Sequence, residues 1–267
     1  MSKNISGKCA LCGKECNLSF EHIPPKAAFN SNPVKPVTAE TILNHEENAP
    51  WDTEGLPYSN QQQGMGLYSL CPECNNNTGS WYGEEYINLT HKIHYVFRNF
   101  ESTENKLITL KDIYPARIIK QVLSMFCSIN TNYSAIEDLK HFVINKESVG
   151  IDKSKYKICM YFTKSHVTKY SPLSGLLNIQ KAKHDLVSEI TAYPLGFIMY
   201  FKPSNDLEYE GVDITSFCDY SYDDCGTFQM PLIVLEVNNF LPLDYRTKEE
   251  IMQCVEENRE WEKQQGM

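Results

Sequence analysis

Long apolar runs are missing from this sequence of 267 residues. No segment approaches the ~18 to 20 consecutive apolar residues that are needed to cross a bilayer. The polar start MSKNISGK also lacks the apolar segment that a secretory signal requires. We therefore expect a cytoplasmic protein that makes no membrane contact. Internal repeats are missing as well, which argues against a repeat architecture.

Positive charge is scarce. The chain has 25 Lys and Arg residues against 34 Asp and Glu residues, for a formal net charge of -9. The balance is acidic on both sides of residue 100, with 7 basic and 10 acidic residues before it and 18 and 24 after it. Non-specific affinity for nucleic acid comes from Lys and Arg that displace counterions. Any contact with nucleic acid must therefore use a local patch, a metal ion or a partner.

Cysteine, in contrast, is abundant, with ten residues in the chain. Without an export signal we expect thiols and metal ligands rather than disulfides. Cys9 with Cys12, and Cys71 with Cys74, form two Cys-x2-Cys pairs in surroundings rich in Gly, Pro and Asn. Each pair brings two sulfurs to one ion, so the sequence predicts one structural zinc. Cys16 is an alternative ligand, but it has no partner at this spacing and we expect it to be free.

A closed four-cysteine site leaves no position for water or substrate, so catalysis would need other residues. The stretch NLSFEHIPP predicts a short strand that ends at two prolines and carries Glu21 and His22 at its end. A histidine beside a carboxylate can act as a general base on water. The oxygens of Glu21 and Asn75 suit Mg2+ or Mn2+. Two alternatives remain open: Asn75 caps a helix, or His22 is a packed turn residue.

In this order along the chain, CALC, FEHIPP and LCPECNNNTG resemble the HNH nucleases. The resemblance is limited to about residues 9–83 and implies a zinc-stabilised ββα-metal, or treble-clef, module. It assigns roles to seven residues: structural zinc ligands Cys9, Cys12, Cys71 and Cys74, general base His22, and catalytic Mg2+ or Mn2+ ligands Glu21 and Asn75. Gly66 stands where the family usually has an asparagine that positions the loop carrying the histidine. Thr78 stands where lysine is common.

Residues 101–267 are predicted to form an α+β domain that follows an HNH-like module of residues 1–100. Helical patterns cover TLKDIYPARIIKQVLSMFCSIN, with Pro115 in its first turn, then YSAIEDLKHFVIN and the C-terminal TKEEIMQCVEENREWEKQQ. Strand-like runs lie between them: KYKICMYFT, GLLNIQKA, VSEITAYPLGFIMYFK, YEGVDITSF and FQMPLIVLEV. No helix between the strands is long enough for parallel crossovers, so we expect an antiparallel sheet. This domain would serve recognition, a protein partner or homo-oligomer contact.

Three further groups of side chains have an ordinary structural interpretation, which we prefer: core aromatics Trp81, Tyr82 and Tyr86, surface histidines His91 and His94, and solvated lysines Lys153, Lys155 and Lys157. The functional alternatives are base stacking for the aromatics, a metal for the histidines and phosphate contact for the lysines. No third ligand is apparent beside the two histidines.

The sequence thus predicts an α+β protein that is a metal-dependent HNH-type endonuclease. It would hydrolyse the phosphodiester bonds of nucleic acid, and the resemblance favours DNA over RNA. The resemblance alone implies a setting such as bacterial or phage defence. Two alternatives remain: a non-catalytic treble-clef zinc module that acts as an interaction protein, and a nuclease that is active only with a partner.

Overall fold

Helices and antiparallel strands are mixed along the chain in the computed structural model, which describes residues 5–45, 49, 51–99, 106–131, 133–178, 183–204 and 209–265. Within these ranges the strands form three sheets. No helix in the described part of the chain is both long enough and apolar enough to cross a membrane. The predicted mixture of helices and antiparallel strands is confirmed.

The first sheet brings the two cysteine pairs together. The elements up to the second pair are β1 (Ile5–Lys8), β2 (Glu15–His22), α1 (Ala39–Leu43) and β3 (Gly66–Leu70). β2 lies in the centre, with β1 and β3 antiparallel on its two sides. His22 pairs with Gly66, and Ser19 pairs with Leu70. The predicted strand that ends before the two prolines is therefore confirmed as β2.

A helical segment follows β3 directly and begins within the second cysteine pair. It consists of α2 (Pro72–Thr78), a π-helical turn (Gly79–Gly83) and α3 (Glu84–Asn99). Gly79 and Gly83 lie at the two ends of the π-helical turn. A turn of this kind widens the helix locally, because its hydrogen bonds span five residues instead of four.

The second half of the chain adds further elements: β4 (Leu107–Ile113), α4 (Pro115–Ile129), a 3-10 turn (Ser134–Ile136), α5 (Glu137–Ile144), β5 (Tyr156–Phe162), β6 (Lys169–Asn178), β7 (Lys183–Ala192), β8 (Leu195–Phe201), β9 (Val212–Asp213), a 3-10 turn (Thr215–Asp219), β10 (Gly226–Pro231) and α6 (Lys248–Gln265). Five strands form one antiparallel sheet in the order β6, β7, β8, β5, β9. Two predicted helices are confirmed as α5 and α6. The third is confirmed as α4 from Pro115 onward, whereas its first residues, TLKDI, belong to strand β4.

Several predicted strands differ in detail. VSEITAYPLGFIMYFK is a hairpin, β7 and β8, because Tyr193 and Pro194 form a two-residue turn in the middle of the run. FQMPLIVLEV contributes β10, which pairs with β4 in a separate two-stranded sheet. YEGVDITSF contributes only the two residues of β9. Residues 179–182, the end of the predicted strand GLLNIQKA, lie outside the described residues.

Helix α4 is the centre of the buried core, and all its residues except Arg117 are buried. Tyr82 donates a hydrogen bond to the carbonyl of Val143 at 2.8 Å, and the Tyr86 ring lies 5.9 Å from the Phe197 ring. Trp81 packs against the same core. These aromatics are core residues, as predicted. The buried cluster continues across residue 100, and the division into domains 1–100 and 101–267 stays a prediction.

Candidate functional site

The sulfurs of Cys9, Cys12, Cys71 and Cys74 all lie within 4.8 Å of one another. The sequence places them there because the turn between β1 and β2 hydrogen-bonds to β3 through Ala10 N and Ser69 O at 2.8 Å. The second pair follows β3 directly. A tetrahedral zinc with Zn–S bonds of about 2.3 Å requires sulfurs about 3.8 Å apart.

The distance between Cys12 Sγ and Cys71 Sγ is 3.9 Å, so the donor set fits zinc. Backbone amides point at the sulfurs as well. Cys71 N donates to Cys9 Sγ, and Cys74 N donates to Cys71 Sγ, both at 3.3 Å. A hydrogen bond from the Cys74 thiol, together with backbone amides, lowers the pKa of Cys9 to about 4. Cys16 lies outside the four-cysteine group, as expected.

Cys71 is also the N-cap of α2, because its sulfur accepts the hydrogen bond from Cys74 N. Asn75 lies inside the helix, so the interpretation of Asn75 as the cap is wrong. Its amide instead reaches β2, where Nδ2 donates to Ser19 Oγ at 3.0 Å and to the Phe20 carbonyl at 3.1 Å. The described residues supply no donor to Asn75 Oδ1. The lone pairs of Oδ1 are therefore not used by any described residue.

Glu21 is buried at the end of β2, with 5% of its surface exposed. Its carboxylate has no hydrogen bond or ion pair with any described residue, and burial raises its pKa to about 8. Ser19 precedes Glu21 by two residues, so both face the same side of the strand. Asn75 contacts Ser19 and the backbone of Phe20, so its side chain packs against β2 one to two residues before Glu21.

His22 faces the other side of the strand, since its ring contacts Phe20 at 5.0 Å between centroids. His22 Nε2 lies 3.0 Å from the carbonyl oxygen of Gln63. A carbonyl only accepts, so Nε2 carries the proton and Nδ1 of the neutral ring is the basic atom. Burial lowers the pKa of His22, and Lys26 adds to this shift. The imidazole is therefore neutral near pH 7.

Two residues that the sequence did not indicate fix the loop that carries Gln63. Asn30 is buried and donates through Nδ2 to the carbonyls of Pro24 at 2.7 Å and Met65 at 2.8 Å. Its Oδ1 accepts from Met65 N at 2.7 Å. The Gln61 amide bonds both backbone groups of Gly66. No motif distinguishes these two from the many other Asn and Gln residues in this polar segment.

Gly66 occupies a position that admits no side chain. A Cβ atom at this residue would lie 2.2 Å from the carbonyl oxygen of Glu21 and 2.7 Å from the Phe20 ring. The asparagine that the resemblance leads one to expect here would not fit this backbone. The side-chain amides of Asn30 and Gln61 instead hold the loop before β3, through hydrogen bonds to the backbones of Met65 and Gly66.

Other candidate residues have structural partners. His91 donates through Nε2 to the Ala27 carbonyl at 3.1 Å. Among the described residues, a group of three or more possible metal ligands forms at the four cysteines, and neither His91 nor His94 belongs to it. The three lysines form ion pairs: Lys153 with Asp219, Lys155 with Asp138, and Lys157 with Asp213. These lysines are solvated surface residues, as predicted.

Comparisons of the chain with protein-family models, curated proteins and solved structures give no match.

Proposed function

We propose that this protein is a metal-dependent endonuclease of the HNH type, in which zinc is structural and Mg2+ or Mn2+ is catalytic. Its substrate is nucleic acid, DNA rather than RNA by resemblance. The module around β2, β3 and α2 is the ββα-metal, or treble-clef, unit of this proposal. The second half of the chain brings the site to its target in the cytoplasm, through a partner or a second copy of the chain.

The observation that carries the proposal is the buried carboxylate of Glu21, which no described residue neutralises. An unpaired buried carboxylate is costly to a fold unless an ion or a proton compensates it. Asn75, whose side chain packs against the same strand, adds an amide oxygen that accepts from no described residue. Mg2+ is typically held by one or two carboxylates together with waters and substrate phosphates. Glu21 and Asn75 offer a donor set of this kind.

His22 supplies the base in this proposal. Its Nδ1 takes a proton from water as the water oxygen bonds to phosphorus and the bond from phosphorus to the leaving oxygen breaks. Gln63 keeps the proton on Nε2 throughout, so the ring stays in the required tautomer. A divalent ion held by Glu21 and Asn75 would neutralise charge on the phosphate and the leaving oxygen. Because His22 and Glu21 point to opposite sides of β2, the proposal requires the substrate to lie across the end of this strand.

The interaction-module alternative explains the zinc cluster as well as the nuclease proposal does. It gives no reason for a buried carboxylate that pairs with no described residue, or for a histidine whose tautomer is fixed by Gln63. It becomes the preferred explanation if no cleavage is found. A nuclease that needs a partner for activity would keep the same site.

The test is a nicking assay on supercoiled plasmid with zinc-loaded protein. We expect cleavage only when Mg2+ or Mn2+ is added, because the structural zinc has no open position. Glu21→Gln should abolish cleavage and retain zinc, since it removes the charge that holds the second ion. Cleavage that needs no added ion, or that survives Glu21→Gln at full rate, would contradict the proposal.

A further inference from the structure

Five rings form a continuous surface on the side of the molecule where the loop after His22 meets α3 and the β7–β8 turn. We call this surface the aromatic platform, and its members are Phe29, His91, His94, His166 and Tyr193. The Phe29 ring lies 4.8 Å from His91, 4.7 Å from His94 and 5.8 Å from Tyr193, and His166 lies 5.1 Å from Tyr193. His94 Nδ1 and Tyr193 Oη are 2.9 Å apart, within hydrogen-bond distance.

Phe29 is held outward in a conformation that a bulky residue rarely adopts. Its φ is 60°, in the left-handed region. Both neighbours, Ala28 and Asn30, are buried, while Phe29 is 41% exposed. Strained residues of this kind persist where the surrounding structure imposes them, often at binding sites. A core role does not explain a strained backbone that exposes an aromatic ring.

The platform is attached to the proposed catalytic site through one loop. Asn30 is adjacent to Phe29 and donates to the carbonyl of Pro24, two residues from His22. The same Asn30 side chain holds the segment next to Gln63, which orients His22. A ligand that covers Phe29 therefore lies on the loop that directly follows the proposed base.

The charge around the platform is reversed relative to the rest of the chain. Segments 22–30, 86–99 and 163–178, which carry four of its five rings, contain five Lys and Arg residues and no Asp or Glu, in a chain of net charge -9. One of the five, Lys169, is buried in an ion pair with Glu189. Lys26, Arg98 and Lys164 are exposed there and form no ion pair with any described carboxylate. Lys164 Nζ lies 5.6 Å from the centroid of the Phe97 ring, which borders Tyr193. Burial raises the pKa of Tyr193, and Arg98 opposes this shift.

We infer that the aromatic platform binds an unpaired segment of the nucleic-acid strand, with bases stacked on Phe29 and the neighbouring imidazoles and phosphates facing Lys26, Arg98 and Lys164. The inference rests on the proposed function, because it names the form of nucleic acid that this site takes. Exposed rings combined with flanking cations are the usual means of binding single strands, since every base presents a stacking face. Paired bases inside a duplex present no such face to the platform.

The experiment measures binding by fluorescence anisotropy, with full-length zinc-loaded protein and no added Mg2+ or Mn2+. The probes are labelled oligothymidylate, labelled oligouridylate and a labelled blunt duplex. The variants are Phe29→Ala and His166→Ala. Tyr95→Ala is the matched control. Tyr95 is 66% exposed and lies on helix α3, which also carries His91 and His94, but it is not part of the platform. Circular dichroism and zinc content confirm that each variant is folded.

We expect wild type to bind both single strands more tightly than the duplex. Phe29→Ala should weaken single-strand binding about tenfold, the scale of one lost stacking contact, and His166→Ala should weaken it less. Tyr95→Ala should bind like wild type. The inference is overturned if wild type binds no single strand, if duplex binds as tightly, or if Phe29→Ala and Tyr95→Ala behave alike. Because no cleavage is needed, binding that depends on the platform without any nicking would reject the nuclease proposal alone.

Discussion

The carbonyl oxygen of Gln63 accepts a hydrogen bond from His22 Nε2 at 3.0 Å, and this contact leaves Nδ1 as the basic atom of the ring. The carbonyl is held in place indirectly, because the Asn30 side chain forms three short hydrogen bonds, one with Pro24 and two with the backbone of Met65. Asn30 is therefore a positioning residue for His22.

Asn30→Asp tests this role. The carboxylate would face the carbonyls of Pro24 and Met65, so we expect a loss of stability of about 1–3 kcal/mol and a cleavage rate lower by about tenfold to a hundredfold. The pKa of His22, followed by NMR, should change as the contact with Gln63 loosens. Asn17→Asp is the control, because Asn17 is exposed. An unchanged His22 titration would show that Asn30 is merely structural.

The two glycines at Gly66 and Gly79 give a matched pair of alanine substitutions. Gly66→Ala should destabilise the protein by about 1–3 kcal/mol or more, because its Cβ would overlap the Glu21 carbonyl. Gly79→Ala should stabilise it by about 0.5–1 kcal/mol, since Gly79 is helical and its Cβ would meet nothing within 4 Å. Denaturant titration measures both. Equal effects would show that a Cβ atom fits at Gly66, which would contradict the close contact between Gly66 and the Glu21 carbonyl.

Zinc removal should unfold the N-terminal part of the chain, because the binding energy of a structural zinc is folding energy. We expect about one Zn2+ per chain by elemental analysis. Cys71→Ser should lose the zinc and lower the melting temperature sharply, because serine can still cap α2 but supplies no thiolate to the ion. Cys225→Ser, at an exposed residue outside the cluster, should change neither. A metal-free protein of full stability would contradict the assignment.

The raised pKa of Glu21 predicts a pH dependence in zinc-loaded protein without Mg2+ or Mn2+. The folded pKa of about 8 lies above the ordinary value of 4.5, so the folded state binds the proton more tightly than the unfolded state does. The free energy of unfolding should therefore fall as pH rises through this window, by up to about 1.4 kcal/mol per pH unit from this group.

Glu21→Gln should remove that part of the slope, and denaturant titrations of both proteins between about pH 5 and pH 8 measure the difference. Added Mg2+ should restore stability at the upper end in wild type and have no such effect in Glu21→Gln, because the ion binds the deprotonated carboxylate. Parallel stability curves for the two proteins would show that Glu21 is not desolvated.

Local sequence patterns are sufficient to predict the four-cysteine cluster and the end of β2. Two Cys-x2-Cys pairs predict that Cys9, Cys12, Cys71 and Cys74 come together, and the two prolines after His22 predict the end of the strand. Contacts made by single polar side chains were not predictable. Asn30 bonds atoms up to 35 residues away, and no local pattern marks a side chain whose partners are distant backbone groups.

The pairing of strands was also not predictable from local patterns. β7 and β8 are both largely buried and apolar, so the sequence gives them the pattern of one continuous strand and hides the turn at Tyr193 and Pro194. β10 pairs with β4 although the paired residues lie 113 to 124 positions apart, from Gly226 with Ile113 to Pro231 with Leu107. Hydrophobic periodicity indicates that a strand exists but not which strand it joins.

The most direct test of the nuclease proposal compares wild type with His22→Ala in the plasmid nicking assay, with zinc content and melting temperature measured on the same samples. We predict a cleavage rate lower by about a hundredfold or more, the usual effect of losing a general base, while zinc content and stability stay close to wild type. Cleavage by His22→Ala at the wild-type rate would contradict the account.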